Sequence, residues 1–325
     1  EVPNVSEDNS SGIPQINDGC ATIIDVMVVF TSAAASKPGI TSEIQLAIDE
    51  TNQSYENSGI NQRLRLVHSE QVDYTESGGD MTTDLHRLTG LSDGYMDNVH
   101  TLRDIYNADL VCLWVENSSI YGNYGGLAWM MTTVSNTFKS NAFSVVRRGY
   151  ATGIYAFAHE LGHNMGANHD RLTDNSRGAY DYSHGYVNKD ICFYTIMAYQ
   201  SSCEGFAVPY CENCTRIPYW SNPEVMYNGY PTGVAEGLPN SADNRKTLNN
   251  TAYTVANFRK SSYSNPLLTW SVWSSTSGFG DWGTKILVGD FNGDGRSDVF
   301  FYSSGDGNHW VGLSNENGTK LDWSL

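Results

Sequence analysis

Three histidines, a glutamate and a glycine stand at fixed offsets between His159 and Asp170, a run that reads H-E-x-x-H-x-x-G-x-x-H-D. On a helix, residues four apart share a face, so His159 and His163 can present both imidazoles to one ion. Glu160 lies one step round from His159, on the side where a water held by that ion would sit. Gly166 can take the positive φ that ends a helix and turns the chain back, bringing His169 to the same ion from below. Three neutral imidazoles leave the fourth position of Zn²⁺ open for water, as in a catalytic rather than a structural site. The chemistry so written is hydrolytic, with Glu160 as general base toward a metal-activated water. Asp170 reads as a residue that fixes the turn and the base of the site, not as a ligand. A surface pair of histidines would account for H-E-x-x-H alone, but not for the glycine and third histidine at their offsets. The preceding Ala151–Ala158 is apolar and small, which suits a helix buried under a cleft floor.

Downstream, Tyr194-Thr-Ile-Met-Ala-Tyr199 adds a second element. With both motifs in place the chain resembles the metzincin metallopeptidases. The resemblance implies that Met197, which alone would read as a core methionine, forms an apolar base under the histidines. It also implies that the Tyr199 hydroxyl stabilises the oxyanion, as in astacins and serralysins. Reprolysins share the Asp after the third His but lack that tyrosine. The stretches Ile24–Thr31, Ile44–Asn57, Ser58–Val67, Asp93–His100, Ala142–Val146 and Arg216–Pro223 narrow the likeness, over about residues 20–260, to the bacterial peptidyl-Asp metalloendopeptidase family. The last of these stretches also occurs in broader reprolysin-like enzymes. What this implies is a secreted zinc endopeptidase, made as a zymogen and cleaving on the amino side of Asp. Such cleavage requires a cation in the primed-side pocket, and Arg216 and Lys189 are the leading candidates, ahead of Arg147, Arg148 and Arg177. Arg216 also reads as a structural hydrogen-bonding residue. Two alternatives stand beside this reading. One is a matrix-degrading protease of broader specificity acting on collagen, elastin or gelatin. The other is a non-catalytic binding or adhesion protein, against which the intact ligands and base count. The remaining histidines, His68, His86, His100, His184 and His309, lack ligand spacing and read as surface or structural residues.

The elements that must position these groups form an α/β (α+β) arrangement: a metzincin-type zincin fold with a twisted mixed sheet, an active-site helix and an irregular lower subdomain, plus a small all-β C-terminal appendage. Ile23–Phe30 is a continuous β-branched run, expected as a buried parallel strand. Apolar spacing at Ile44, Ala47, Ile48 and Tyr55 predicts an amphipathic helix over Thr41–Ser58, closed by Gly59. Strands follow at Arg63–Asp73 and Ala108–Val115, with helices at Asp80–Leu88 and Met96–Tyr106 between them. Tyr124–Met131 is expected as the edge strand above the cleft, where an extended protein or peptide substrate can add as a further strand. Ala142–Val146 returns to the sheet before the active-site helix, expected at about Gly153–Met165. A last helix near Asp243–Arg259 closes the domain.

Composition sets further bounds. The 325 residues are 40% hydrophobic and 17% charged, enough to bury a sizeable core. A net charge of −17 argues against nucleic acid as a partner and suits a secreted, monomeric protein. No apolar run reaches eighteen residues, so no membrane partner is expected. The first residue is Glu and no leader precedes it, which is expected of a mature form whose signal and pro-segments are gone. The six cysteines favour three disulfides among fifteen possible pairings. Cys20 and Cys112 are expected to pair, and Cys192, Cys203, Cys211 and Cys214 to staple the loop around the methionine turn. The rival reading of Cys211-Glu-Asn-Cys214 is half a zinc knuckle or a redox pair.

Three segments are expected: an extended arm over 1–19, the catalytic domain over 20–262, and a β-rich segment over 266–325. In the last, Gly289–Asp298 reads as a short D-x-N-x-D-G-x-x-D calcium loop. Asp290, Asn292, Asp294 and Asp298 would supply oxygens to Ca²⁺, with the carbonyl of Arg296. It resembles the loop of FG-GAP/VCBS-type repeats and is no EF-hand, because position 12 is Phe301. The flanks Ile286–Val288 and Val299–Tyr302 read as strands. One such repeat cannot close a propeller; polysaccharide or cell-surface attachment, or simple stabilisation, is the role expected of it.

Overall fold

The β-branched run before Thr31 becomes the spine of a five-stranded sheet. The computed structural model describes residues 21–78, 81–116, 125–204, 211–259, 285–289, 298–302, 309–314 and 321–324. In chain order come β1 (Thr22–Phe30), α1 (Ile40–Asn57), β2 (Gln62–Gln71), α2 (Met81–Thr89), α3 (Asp97–Ile105), β3 (Leu110–Val115), β4 (Gly126–Ala128), β5 (Phe143–Arg147), the single turn α4 (Arg148–Ala151) and α5 (Ala156–Asn164). The strand order is β2-β1-β3-β5-β4. β1 runs parallel to β2 and β3, β3 parallel to β5, and β4 lies antiparallel on the β5 edge with Gly126 opposite Val146.

Both faces of this sheet are covered, which is why β1 has no polar alternation over its second half. Val26, Val28 and Phe30 pack with Ile44, Ile48 and Tyr55 of α1 and with Phe157 and Leu161 of α5. Met27 and Val29 point the other way, toward Leu85 and Leu88 of α2 and Val99 of α3. Gly59 takes φ +67° directly after α1, the backbone the sequence expects of a helix-closing glycine.

Below α5 the chain is irregular. β6 (Val187–Asn188), β7 (Phe193–Tyr194) and β8 (Thr215–Arg216) form a small three-stranded sheet, with the turn α6 (Gln200–Cys203) between the last two. β9 (Met226–Tyr227) pairs with β10 (Tyr230–Pro231), and α7 (Asn244–Val255) follows, its first turn capped by the Asp243 carboxylate accepting from the Lys246 N–H at 2.8 Å. Among the described residues no helix is long and apolar enough to cross a membrane.

The chain divides into two compact units, Glu1–Ser262 and Tyr263–Leu325. In the second, β11 (Lys285–Gly289), β12 (Asp298–Tyr302), β13 (His309–Ser314) and β14 (Leu321–Ser324) pair in sequence as antiparallel neighbours. Residues 1–19, Cys20 and the calcium-loop residues Asp290, Asn292, Asp294 and Arg296 lie outside the described residues, as does the side chain of Asp298.

The cysteines depart from expectation in one respect. Cys192 bonds to Cys211 and Cys203 to Cys214, so the four around the methionine turn are stapled as expected and the C-x-x-C pair is split between two bridges. Cys112, expected to pair with Cys20, is instead a free thiol. It sits on the central strand β3 with no exposed surface, pointing into the layer beneath α5. Burial pushes its thiol up to about 12, so it is an inert core residue. Non-reducing peptide mapping should recover Cys192 linked to Cys211 and Cys203 linked to Cys214. Cys112 should take up an alkylating reagent only after denaturation; rapid labelling of the native protein at Cys112 would contradict this packing.

Candidate metal centre

All nine residues of α5 are buried, including His159, Glu160 and His163. The helix starts three residues later than the spacing predicts, because Gly153 and Tyr155 both take positive φ, +72° and +61°, and break the run before Ala156. At its other end Gly166 adopts φ +93°, and the chain reverses to carry His169 back. A Cβ at Gly166 would stand 2.5 Å from the Ala179 Cβ, so the turn needs glycine for space as well as for its dihedral.

The three imidazoles converge. His169 Nε2 lies 3.1 Å from His159 Nε2 and 3.0 Å from His163 Nε2. Zn–N bonds of about 2.05 Å in a tetrahedral site put ligand nitrogens about 3.3 Å apart, so this spacing fits one zinc ion. The protonation pattern agrees. His159 Nδ1 donates to the Ile196 carbonyl at 2.8 Å and His163 Nδ1 to the Ala167 carbonyl at 2.9 Å, which leaves their Nε2 atoms as lone-pair donors. Lone pairs facing one another at this distance repel unless a cation lies among them. Burial holds all three rings neutral, pushing His163 down to about 3 and His159 well below the usual imidazole range. His169 is further oriented through its backbone, whose carbonyl accepts from His184 Nδ1 at 2.8 Å.

Glu160 packs against the edge strand. A Cβ on Gly126 of β4 would come within 2.6 Å of Glu160 Oε1, so the strand can lie over this carboxyl only because residue 126 has no side chain. Burial pushes the Glu160 carboxyl up to about 8, partly countered by the charge of Arg216.

The floor is assembled in the same way. Met197 and Trp220, both without exposed surface, lie under α5 where Gly162 would otherwise carry a Cβ 2.8 Å from Met197 Sδ and 2.8 Å from the Trp220 ring. The Asp170 carboxylate accepts from the backbone N–H groups of Leu172 and Thr173 and, at 3.0 Å, from that of Tyr199. It therefore ties the turn after His169 to the methionine loop and points no oxygen at the imidazoles' meeting point as a ligand would. The Tyr199 ring is partly exposed, with its centroid 4.8 Å from that of His169. Of the expected cations, Arg216 Nη2 donates to the Ala198 carbonyl at 3.2 Å and Nη1 to that of Ile154, just ahead of α5. Lys189 is on the β6–β7 connection, where its carbonyl receives the Cys211 Sγ contact at 3.1 Å. Arg148 is committed to three carbonyls and Glu43, and Arg177 pairs with Asp181 at 3.4 Å. Gly126, Gly162, Trp220 and His184 were not singled out by sequence reasoning as parts of the site; each acts through a contact between distant segments.

Known proteins resemble this chain over the same region. The profile of Metallo-peptidase family M12 matches residues 20–220. A peptidyl-Asp metalloendopeptidase of Stenotrophomonas maltophilia is 41% identical over 264 residues, which cover 80% of this chain and 58% of that protein. The chain thus spans little more than half the length of that relative. The peptidyl-Asp metalloendopeptidase of Pseudomonas fragi is 32% identical over 211 residues, 65% of this chain and all of that sequence. A solved structure described as a chaperone-substrate complex superposes with a TM-score of 0.54 at 20% identity, covering 74% of this chain and 40% of that one, a likeness of fold alone.

The close approach at Gly162 can be weighed. Gly to Ala inside a helix ordinarily gains about 1 kcal/mol, whereas forcing a methyl into a filled core loses about 1–3 kcal/mol. Gly162→Ala should therefore destabilise the protein by about 1 kcal/mol net, seen as a lower urea midpoint at unchanged slope. A raised midpoint would mean that Met197 and Trp220 yield without penalty.

Proposed function

Since the chain belongs to Metallo-peptidase family M12, we propose that it is a zinc endopeptidase of the metzincin type that hydrolyses peptide bonds in extracellular proteins. The observation that carries this reading is the meeting of three neutral Nε2 atoms beside a buried carboxyl. His159, His163 and His169 hold the metal. Zinc bound there supplies Lewis-acid polarisation of the scissile carbonyl and of a water, and a positive charge that draws the Glu160 carboxyl down toward its ionised form.

The chain's own residues do the rest. Glu160, clamped between α5 and the Gly126 backbone, takes the proton of the attacking water and passes it to the departing amine. The open edge of β4 receives the substrate backbone as an added antiparallel strand, which aligns the scissile bond along the cleft. Tyr199, beside His169, donates its hydroxyl to the oxygen that becomes negative in the transition state. Two disulfides in the lower part support synthesis in an oxidising, extracytoplasmic compartment. The peptidyl-Asp names of the relatives support an aspartate on the amine-contributing side of the cleaved bond. In the second unit, the Asp290–Asp298 loop supports, on sequence alone, a calcium site.

Glu160→Gln should retain one zinc per chain by metal analysis and lose roughly 10²- to 10⁴-fold in kcat on an unstructured protein such as casein. Parental activity in that variant would end the general-base role. Tyr199→Phe should lower kcat roughly 10- to 1,000-fold with little change in KM; an unchanged kcat would take Tyr199 out of the mechanism.

A further inference from the structure

Arg216 places a positive charge beside the metal ligands in a chain of net charge −17. Among the described residues, Arg65, Arg148, Arg177, Arg245, Arg259, Lys37 and Lys246 each have a carboxylate within ion-pair distance. Arg216 has none, and unlike the fully buried Arg103, whose Nε, Nη1 and Nη2 all donate to carbonyls, it does not have every nitrogen bonded. Its Nε is enclosed and has no hydrogen-bond partner among the described residues. A guanidinium taken out of water without a counter-ion at contact distance is costly. Two carbonyls, those of Ile154 and Ala198, take one N–H from each terminal nitrogen. Tyr194 is a further side-chain partner; a guanidinium has five N–H donors, so these bonds still leave donors over.

Its place explains the arrangement. Ile154 immediately precedes α5, and Ala198 lies between Met197 and Tyr199, so the guanidinium bridges the two segments that flank the metal ligands. Tyr194 supports it from below, with Cζ 5.1 Å from the ring centroid. Its charge acts on His159, Glu160 and His169, and the Glu160 carboxylate acts on it in turn. The disulfides Cys192–Cys211 and Cys203–Cys214 pin the chain just before β8 to the residue preceding β7 and to α6. Of the other cations considered, Arg148 and Arg177 are spent on internal carboxylates.

We propose that Arg216 is the specificity-determining residue: its guanidinium receives the side-chain carboxylate of the substrate residue whose nitrogen leaves. The substrate thus brings the counter-ion that the fold withholds. This rests on the endopeptidase reading above and names the group that reads its substrate. The long-range field of the chain repels acidic peptides, so a local uncompensated cation is what lets one bind.

The test uses two peptides identical except for Asp or Asn directly after the scissile bond. The parent should favour Asp in kcat/KM. In Arg216→Gln that Asp-to-Asn ratio should fall roughly 10- to 150-fold, the scale for losing a charge-assisted hydrogen bond, with zinc content still one per chain. A merely structural arginine would slow both peptides together and leave the ratio where it was, which would overturn the proposal. Arg216→Lys provides a second variant should the glutamine protein not fold. Lacking the planar fork, it should lose at least about fivefold of the ratio, and a parental ratio would again refute the assignment. A parent that cleaves both peptides equally would overturn the assignment while leaving the endopeptidase intact. A parent that cleaves neither peptide, nor casein, would overturn the endopeptidase reading itself.

Discussion

The bonds from the Nδ1 atoms of His159 and His163 to the carbonyls of Ile196 and Ala167 are the interactions on which the rest of the site depends. They fix which nitrogen of each ring carries the proton and so aim two lone pairs at one point. A buried histidine with the other tautomer would present an N–H there and repel a metal. The carbonyls come from different places: Ala167 follows the reversal at Gly166, and Ile196 belongs to the methionine loop. The ligand geometry is therefore set jointly by the helix, the glycine turn and the loop beneath them. The same logic reaches the third ligand through the His184 ring on the His169 carbonyl.

Much of this was legible in the sequence because it is local. The offsets of His159, His163, Gly166 and His169 express a helical period and one turn, and both are properties of the chain over eleven residues. The buried strands were legible for a similar reason: β-branched runs such as Val26–Phe30 have few alternatives. What stayed hidden is non-local. Glycine at 126, 162 and 185 reads as permissive backbone, but its role is to let another segment come within contact distance: Glu160 at 126, and the Met197 region at 162 and 185. No period announces which segment that will be. Cys112 misled for the converse reason. An even cysteine count suggests complete pairing, yet its position on the central strand, covered by α5, offers only core packing. The start of α5 moved because two consecutive left-handed stops, at Gly153 and Tyr155, outweigh the helical propensity of the residues around them.

Electrostatics and packing also divide the work around Glu160. Its carboxyl is raised by burial against a glycine strand, and the charge of Arg216 partly counters this. A more exposed glutamate would be a weaker base, and one paired with an internal arginine would be weaker still. The fold does neither, and this is consistent with a carboxyl poised for the field of an incoming metal and substrate.

The ligands all come from one short stretch ending at His169, whereas Tyr199 lies within the disulfide-bridged segment Cys192–Cys214 and Arg216 two residues beyond it. Metal capture and the proposed side-chain recognition thus belong to separate stretches of chain, which meet through backbone carbonyls, the Asp170–Tyr199 bond and the His169–Tyr199 ring contact. On that proposal, residues 200–217 can diverge during evolution, acquiring a new preference for what is cut, while the machinery that does the cutting is inherited whole.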